Sequence, residues 1–179
     1  MNRICYTDSI RMPNPLPLTY YPQPSLQQRS RSLTKQEILS PEIQELIAAM
    51  IVTMHAEKGV GLAAPQIGRN IRLAIVSTDD GDLPLLNPRI LWRSFRNETD
   101  IEGCLSIPGV YGEVSRSAAI LVRATNPRGE SKVFFAKGFF ARVIQHEIDH
   151  LDGILFIFRT NTIIEGKDRL ARYAANAAK

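Results

Sequence analysis

The chain predicts an α+β domain in which antiparallel strands pack around a buried helix, with one helix ahead of the strands and another at the C-terminus. Three features point to it. An amphipathic segment spans residues 40–59, a series of short β-like runs lies between residues 71 and 136, and a strongly apolar segment follows at 139–151. Strands grouped between helices, rather than alternating with them one by one, favour α+β over a parallel α/β arrangement.

Taken in order, residues 1–34 hold five of the eleven prolines and no sustained periodicity, so they read as an extended arm laid on the body. Residues 1–15 form an N-terminal extension to which the sequence gives no role. The first helix starts at Ser40 as N-cap, with Pro41 in the first turn and Glu42 near the positive helix end. Ile43, Leu46, Ile47, Met50, Ile51 and Met54 follow at helical spacing, and Gly59 offers a stop. Strands are expected over Ile71–Ser77, Leu83–Leu86, Ile90–Trp92, Ala119–Ala124 and Lys132–Ala136, with clear turn chemistry at 79–82 and 126–129. A second helix should run from about Phe139 to Leu151 and end at Gly153. A third, more charged, is expected from about Glu165 to the C-terminus.

A chain of 179 residues suits one domain over residues 1–179, and 44% apolar against 22% charged residues is the balance of a globular protein rather than a disordered one. No apolar run approaches the roughly 20 residues of a membrane span. The first residues lack the apolar core of a secretory signal, so the chain is expected to stay in a reducing compartment with Cys5 and Cys104 as free thiols. The net charge of +4 fits a loose preference for polyanions, and an ordinary solvated surface explains it equally well.

The decisive segment is His146-Glu147-Ile148-Asp149-His150. On a helix the two histidines, four positions apart, project from one face about a turn apart and can grip one ion, with Glu147 at its margin. The chain has only three histidines, so this spacing is rare by chance. Phe139, Phe140, Val143, Ile144, Ile148 and Leu151 make the helix apolar around most of its circumference. Burying two imidazoles and a carboxylate there without partners would cost several kcal/mol, and a divalent cation satisfies them. The alternative is a set of core histidines hydrogen-bonded to carboxylates and backbone.

A catalytic ion of this kind takes three protein ligands and leaves one position for water. Metalloproteases that draw the third ligand from the same segment read HExxHxxGxxH; Gly153 fits, but the last position is Phe156, which cannot ligate. Glu165 is a downstream carboxylate without a supporting motif, and His55 reads as a surface or boundary residue of the first helix. Cys104 is the best choice, because Gly103 before it permits a sharp bend and close backbone approach. The alternative for Cys104 is a small buried apolar side chain.

Three segments together resemble the signature motifs of peptide deformylases, in matching order and separation. They are Gly59-Val60-Gly61-Leu62-Ala63-Ala64-Pro65-Gln66, Glu102-Gly103-Cys104-Leu105-Ser106 and Gln145-His146-Glu147-Ile148-Asp149-His150-Leu151. The resemblance covers the chain from about Leu16 onward. It implies hydrolysis of the N-formyl group from the initiator formylmethionine of nascent polypeptides, with release of formate and a free methionyl amino terminus.

The resemblance further implies that Cys104, His146 and His150 bind the metal, with Fe²⁺ as the usual ion and Zn²⁺ or Ni²⁺ as substitutes. Glu147 would take a proton from the attacking water and deliver it to the leaving amine. The Gln66 side-chain amide and the backbone N–H of Leu105 would receive the developing oxyanion; outside this motif Gln66 would read as a polar loop residue. Gly59, Val60, Gly61, Gly103, Tyr111 and Arg142 fall on the substrate side. Gly61 leaves the ion and the formyl group unobstructed, and the segments flanking Val60 and the metal helix would wall an apolar methionine pocket. Arg142 stands where relatives vary between apolar residues and Arg, and Tyr111 where many carry an Arg near the bound peptide.

Two rival readings remain at this level. A zinc endopeptidase shares the HExxH logic but would not require Cys104. A non-catalytic protein could dock on ribosomal RNA through Lys167, Arg169 and Arg172 of the C-terminal helix, although intact Glu147 and Gln66 speak against lost activity. Ribosome docking could also accompany catalysis. No membrane or DNA partner is expected, and the location implied is the cytoplasm, of bacterial type, rather than an organelle.

Overall fold

In the computed structural model, which describes residues 13–177, the capping signals at Ser40 do start a helix. Ahead of it, a single turn not anticipated from sequence, α1 (Lys35–Ile38), is closed by a reciprocal capping box between Thr34 and Glu37. Helix α2 (Pro41–Ala56) follows, with the Ser40 hydroxyl accepting from the Ile43 amide. Its stop differs from expectation. The left-handed residue is Lys58 (φ 55°), while Gly59 donates its amide to the Met54 carbonyl at 2.8 Å. A Cβ at Gly59 would stand 2.9 Å from Leu105 Cδ1, so that side chain would have to shift.

The strands, in chain order, are β1 (Gly61–Ala63), β2 (Leu73–Thr78), β3 (Gly81–Arg93), β4 (Asn97–Cys104), β5 (Ile107–Ser117), β6 (Ala119–Thr125), β7 (Ser131–Lys137) and β8 (Thr162–Glu165). They form two antiparallel sheets, β1-β2-β3-β6-β7 and β4-β5-β8. Helix α3 (Gly138–Leu151) packs against β1, β2, β6 and β7 of the first sheet and β5 of the second. Helix α4 (Lys167–Ala177) lies against β5. The expected helix start near Glu165 is displaced because Glu165 ends β8, paired with Tyr111.

Burial explains these elements. Leu73 and Ile75 of β2 face the α2 side with Ile47, Met50 and Met54, whereas Val76 faces α3 with Ile144 and Ile148. A strand covered on both faces reads as a continuous apolar run, as residues 73–76 do. The two short runs expected at 83–86 and 90–92 are one strand, β3, interrupted by a register shift between Leu86 and Arg89. Asn87 there adopts φ 50° and bonds both the amide and the carbonyl of Leu33, so the irregularity anchors the N-terminal arm.

That arm braces the loops that carry the sequence motifs. Leu16 donates to the Thr53 hydroxyl, Thr19 to the Gln66 carbonyl at 2.7 Å, and Tyr21 to the Ser106 carbonyl at 2.9 Å. Leu26 is fully buried beside Ile107 and Phe156. Of the extension expected over residues 1–15, residues 1–12, including Cys5, lie outside the described residues, and residues 13–15 carry no regular element.

Gly153 ends α3 in the expected way. It is left-handed (φ 75°), and a Cβ there would lie 2.7 Å from the Gln27 carbonyl carbon. Gly153→Ala should therefore destabilise the fold by about 1–3 kcal/mol, read as a lower denaturant midpoint with an unchanged slope. A midpoint equal to wild type would show that the arm does not constrain the helix end.

Candidate metal centre and active site

Helix α3 presents His146, Glu147 and His150 from a largely buried surface, and the end of β4 brings Cys104 to them. Ligand atoms of Cys104, His146 and His150 all lie within 4.8 Å of one another. Cys104 Sγ is 3.2 Å from His150 Nε2, and the two imidazole centroids are 4.9 Å apart. His146 Nδ1 meets Glu102 Oε2 at 3.0 Å, which leaves Nε2 of that ring for the Cys104 side. One sulfur and two imidazole nitrogens suit a transition-metal ion such as Zn²⁺ or Fe²⁺.

The orientation of His146 is set from β4. Glu102 and Cys104 lie two residues apart at the end of this strand, where the pairing shifts register after Gly103, and each reaches one of the histidines. Glu102 is held by Arg116 of β5 in a two-point contact, Nε and Nη2 each at 2.9 Å, and by Arg142 Nη1 at 2.8 Å. Arg116 also contacts Asp149, which in turn pairs with Arg159 at 2.7 Å. Buried charges persist only when paired in this way, and removing one partner typically costs about 3–5 kcal/mol.

These surroundings move the titrations apart. Burial alone would raise the Glu102 carboxyl, but its bonds to Arg116 and His146 hold it well below the usual carboxylate range. Burial disfavours charge on His146, yet contacts with Cys104 and Glu102 outweigh it and raise His146 to about 10. His150, buried and beside that positive ring, lies well below the ordinary histidine value. Glu147 is raised to about 7 by burial, against the opposing charge of His146.

Above the cluster opens a cavity of about 410 Å³. Glu147 and Gln66 line it, being 3% and 2% exposed. Glu147 Oε2 has no hydrogen-bond partner among the described residues. A buried carboxylate oxygen left free beside three ligand atoms fits a site built for an ion and its water. Gly61 roofs this point: a Cβ there would stand 2.8 Å from Glu147 Cδ and 3.0 Å from Val143 Cγ1. Gln66 is fixed by accepting from the Ala63 amide at 2.8 Å, and its amide nitrogen faces Cys104 Sγ at 3.5 Å and Ser106 Oγ at 3.3 Å.

The structure thus gathers Gly59, Val60, Gly61, Gln66, Gly103, Cys104, Leu105, Tyr111, Arg142, His146 and Glu147 around one cavity, with His150 completing the ligand cluster. Some details differ from the sequence reading. Cys104 ends a strand whose pairing shifts register between Gly103 and Cys104, at the bend expected there, and the Tyr111 ring lies against Gly103, 2.6 Å from where a Cβ would be. Arg142 turns its guanidinium to Glu102 and the Val114 and Glu98 carbonyls, leaving its stem beside the cavity. Among the other ligand candidates, His55 pairs with Asp82 at 2.9 Å, Glu165 lies on β8, and Phe156 stacks on His146.

Sequence reasoning missed the roles of Glu102, Arg116, Asp149 and Ser106, and the cavity residues Tyr20, Ile101 and Phe139. The available signal for Glu102 was its two-residue spacing from Cys104, which becomes informative only once β4 is recognised as a strand.

Comparison with known proteins agrees with this geometry. Residues 15–164 match the polypeptide deformylase family. A peptide deformylase of Desulforudis audaxviator is 41% identical over 152 residues, 84% of this chain and 97% of that protein. The crystal structure of the Thermotoga maritima peptide deformylase superposes with a TM-score of 0.80 at 37% identity, covering 83% of this chain and 99% of that one. A Synechococcus elongatus peptide deformylase in complex with actinonin gives a TM-score of 0.82 at 36% identity, covering 90% of this chain and 87% of that one. With the Cys-His-His cluster, the buried glutamate and these likenesses in agreement, the chain belongs to the polypeptide deformylase family of metal-dependent enzymes, and its reaction is removal of the formyl group from the amino termini of nascent polypeptides.

Proposed function

We propose that Cys104, His146 and His150 hold the ion, that this ion is Fe²⁺ with Zn²⁺ or Ni²⁺ able to substitute, and that Glu147 moves the protons. The reading rests on one observation above the others: a free, buried carboxylate oxygen beside a cluster of one sulfur and two imidazoles. When bound, a divalent ion supplies Lewis-acid polarisation and lowers the pKa of water in its open position. Glu147 Oε2 accepts a proton from the attacking water and returns it to the departing amine. Its burial, which raises the carboxyl above the usual carboxylate range, suits a group that must take up and return a proton.

The Gln66 amide, already turned toward Cys104 and Ser106, and the Leu105 backbone N–H are the donors for the oxygen that gains charge. Gly61 leaves the space over Glu147 unobstructed for the formyl group, and the close walls around that space disfavour the extra methyl of an acetyl group. Val60, Val143 and the Arg142 stem wall the methionine side chain, with Gly59 and Gly103 allowing the close approach of their neighbours. Tyr111, half-exposed against Gly103, offers an aromatic surface to the residues after methionine.

The chain is read as one deformylase domain preceded by the extension of residues 1–15, acting on formyl-methionyl nascent chains in the cytoplasm. Docking on the ribosome through α4 is supported by the exposed Lys167, Arg169 and Arg172, although Arg169 also donates to the Pro108 carbonyl at 3.3 Å.

Formate release from a formyl-methionyl peptide, measured with protein purified without oxygen, tests these roles. Glu147→Ala should lower turnover by about 10²–10⁴-fold while metal content stays near wild type. Cys104→Ser should instead weaken or alter metal binding, measured as bound metal per chain after dialysis. Gly61→Ala should depress turnover through crowding of Glu147 without loss of metal. Unchanged turnover in the Glu147 variant would remove it as the base.

A further inference from the structure

A second cavity, of about 440 Å³, opens on another flank of α3 and shares no lining residue with the active-site cavity. It lies between the N-terminal arm, β3 and the end of the helix. Arg29, Arg72, Arg89 and Arg93 line it, and Asp152 is the one acid among the lining residues. Four guanidinium groups against one carboxylate leave three formal positive charges. Asp152 pairs with Arg72 at 2.7 Å and lies 3.8 Å from Arg29, so it neutralises only part of this field.

Two donors in the cavity wall are buried and unpartnered. Among the described residues, Ser30, 4% exposed, has no partner for its hydroxyl, and Arg72, 6% exposed, has none for Nε. The rest of Arg72 is fixed: Nη1 reaches Asp152 and the Leu151 carbonyl, and Nη2 the Pro88 carbonyl at 3.1 Å. Buried donors of this kind destabilise the fold unless a ligand or water meets them. Arg89 also stands opposite Arg123 across β3 and β6, a like-charge pair that disfavours the sheet unless an anion lies nearby.

We propose that this cavity binds a phosphoryl group. A tetrahedral oxyanion accepts from several arginine forks and a hydroxyl at once, and its charge answers the surplus there. The phosphoryl group comes either from a small phosphate compound or from an RNA backbone. Exposed Arg29, Arg89 and Arg93 form the mouth, while Ser30 and Arg72 form the fixed floor.

The test is calorimetric titration of the metal-loaded full chain with inorganic phosphate, and separately with a short single-stranded RNA, at constant ionic strength. Both are repeated on Arg93→Glu, Arg29→Glu and Ser30→Ala. The proposal expects saturable one-site phosphate binding, weakened about 10-fold or more by Arg93→Glu, with turnover of a formyl-methionyl peptide retained in all three variants. RNA that binds more tightly than phosphate, competes with it and is weakened by the same variants identifies the backbone as the source. RNA that does not compete identifies a small phosphate compound. Absence of saturable binding by either probe, or binding unaffected by Arg93→Glu, would overturn the proposal.

Discussion

The Glu102 carboxylate is the junction on which the active-site geometry depends. It sits on β4, receives two bonds from Arg116 of β5 and one from Arg142 of α3, and meets the Nδ1 edge of His146. One buried anion therefore ties two strands of the second sheet to the helix that carries the histidines. Buried ion pairs contribute little net stability compared with an apolar substitute, so their value here is positional. Holding His146 by Nδ1 fixes its ring and turns the other nitrogen toward Cys104 and His150, the arrangement in which an outer carboxylate orients a histidine ligand.

A second constraint comes from the arm. Thr19 and Tyr21 bond the backbone carbonyls of Gln66 and Ser106, so the segment before α1 clamps both loops that face the cluster. Gln66 is further locked by the Ala63 amide, which leaves its side-chain nitrogen pointing at Cys104 and Ser106. Donors set in advance need no rearrangement as charge develops. Glycines fill the remaining tight places: Gly61 against Glu147, Gly103 against Tyr111, Gly59 against Leu105. In each case the requirement is room for a neighbouring side chain rather than an unusual backbone angle.

The parts of this arrangement that were legible in sequence are those with local signals. Helix α2 announced itself through Ser40, Pro41 and its apolar spacing, and α3 through its apolar surface and the paired histidines. The second sheet did not. Strand β4 is exposed along most of its length, and the buried positions of β5 include Gly112 and Arg116, so neither shows the apolar alternation that marks a strand. Without β4, the placement of Glu102 beside the histidines was invisible, and the charge network beneath them with it. Arg142 shows the same limit. Its place on the helical face was readable, but the turning of its guanidinium to β4 and β5 depends on contacts distant in sequence.

The central claim is that one sulfur and two imidazole nitrogens share a single ion beside Glu147. X-ray absorption at the metal edge of zinc-reconstituted protein tests it directly. One sulfur at about 2.3 Å and nitrogens at about 2.0–2.1 Å are expected, with the sulfur contribution absent in Cys104→Ser. A wild-type spectrum fitted by nitrogen and oxygen alone would contradict it.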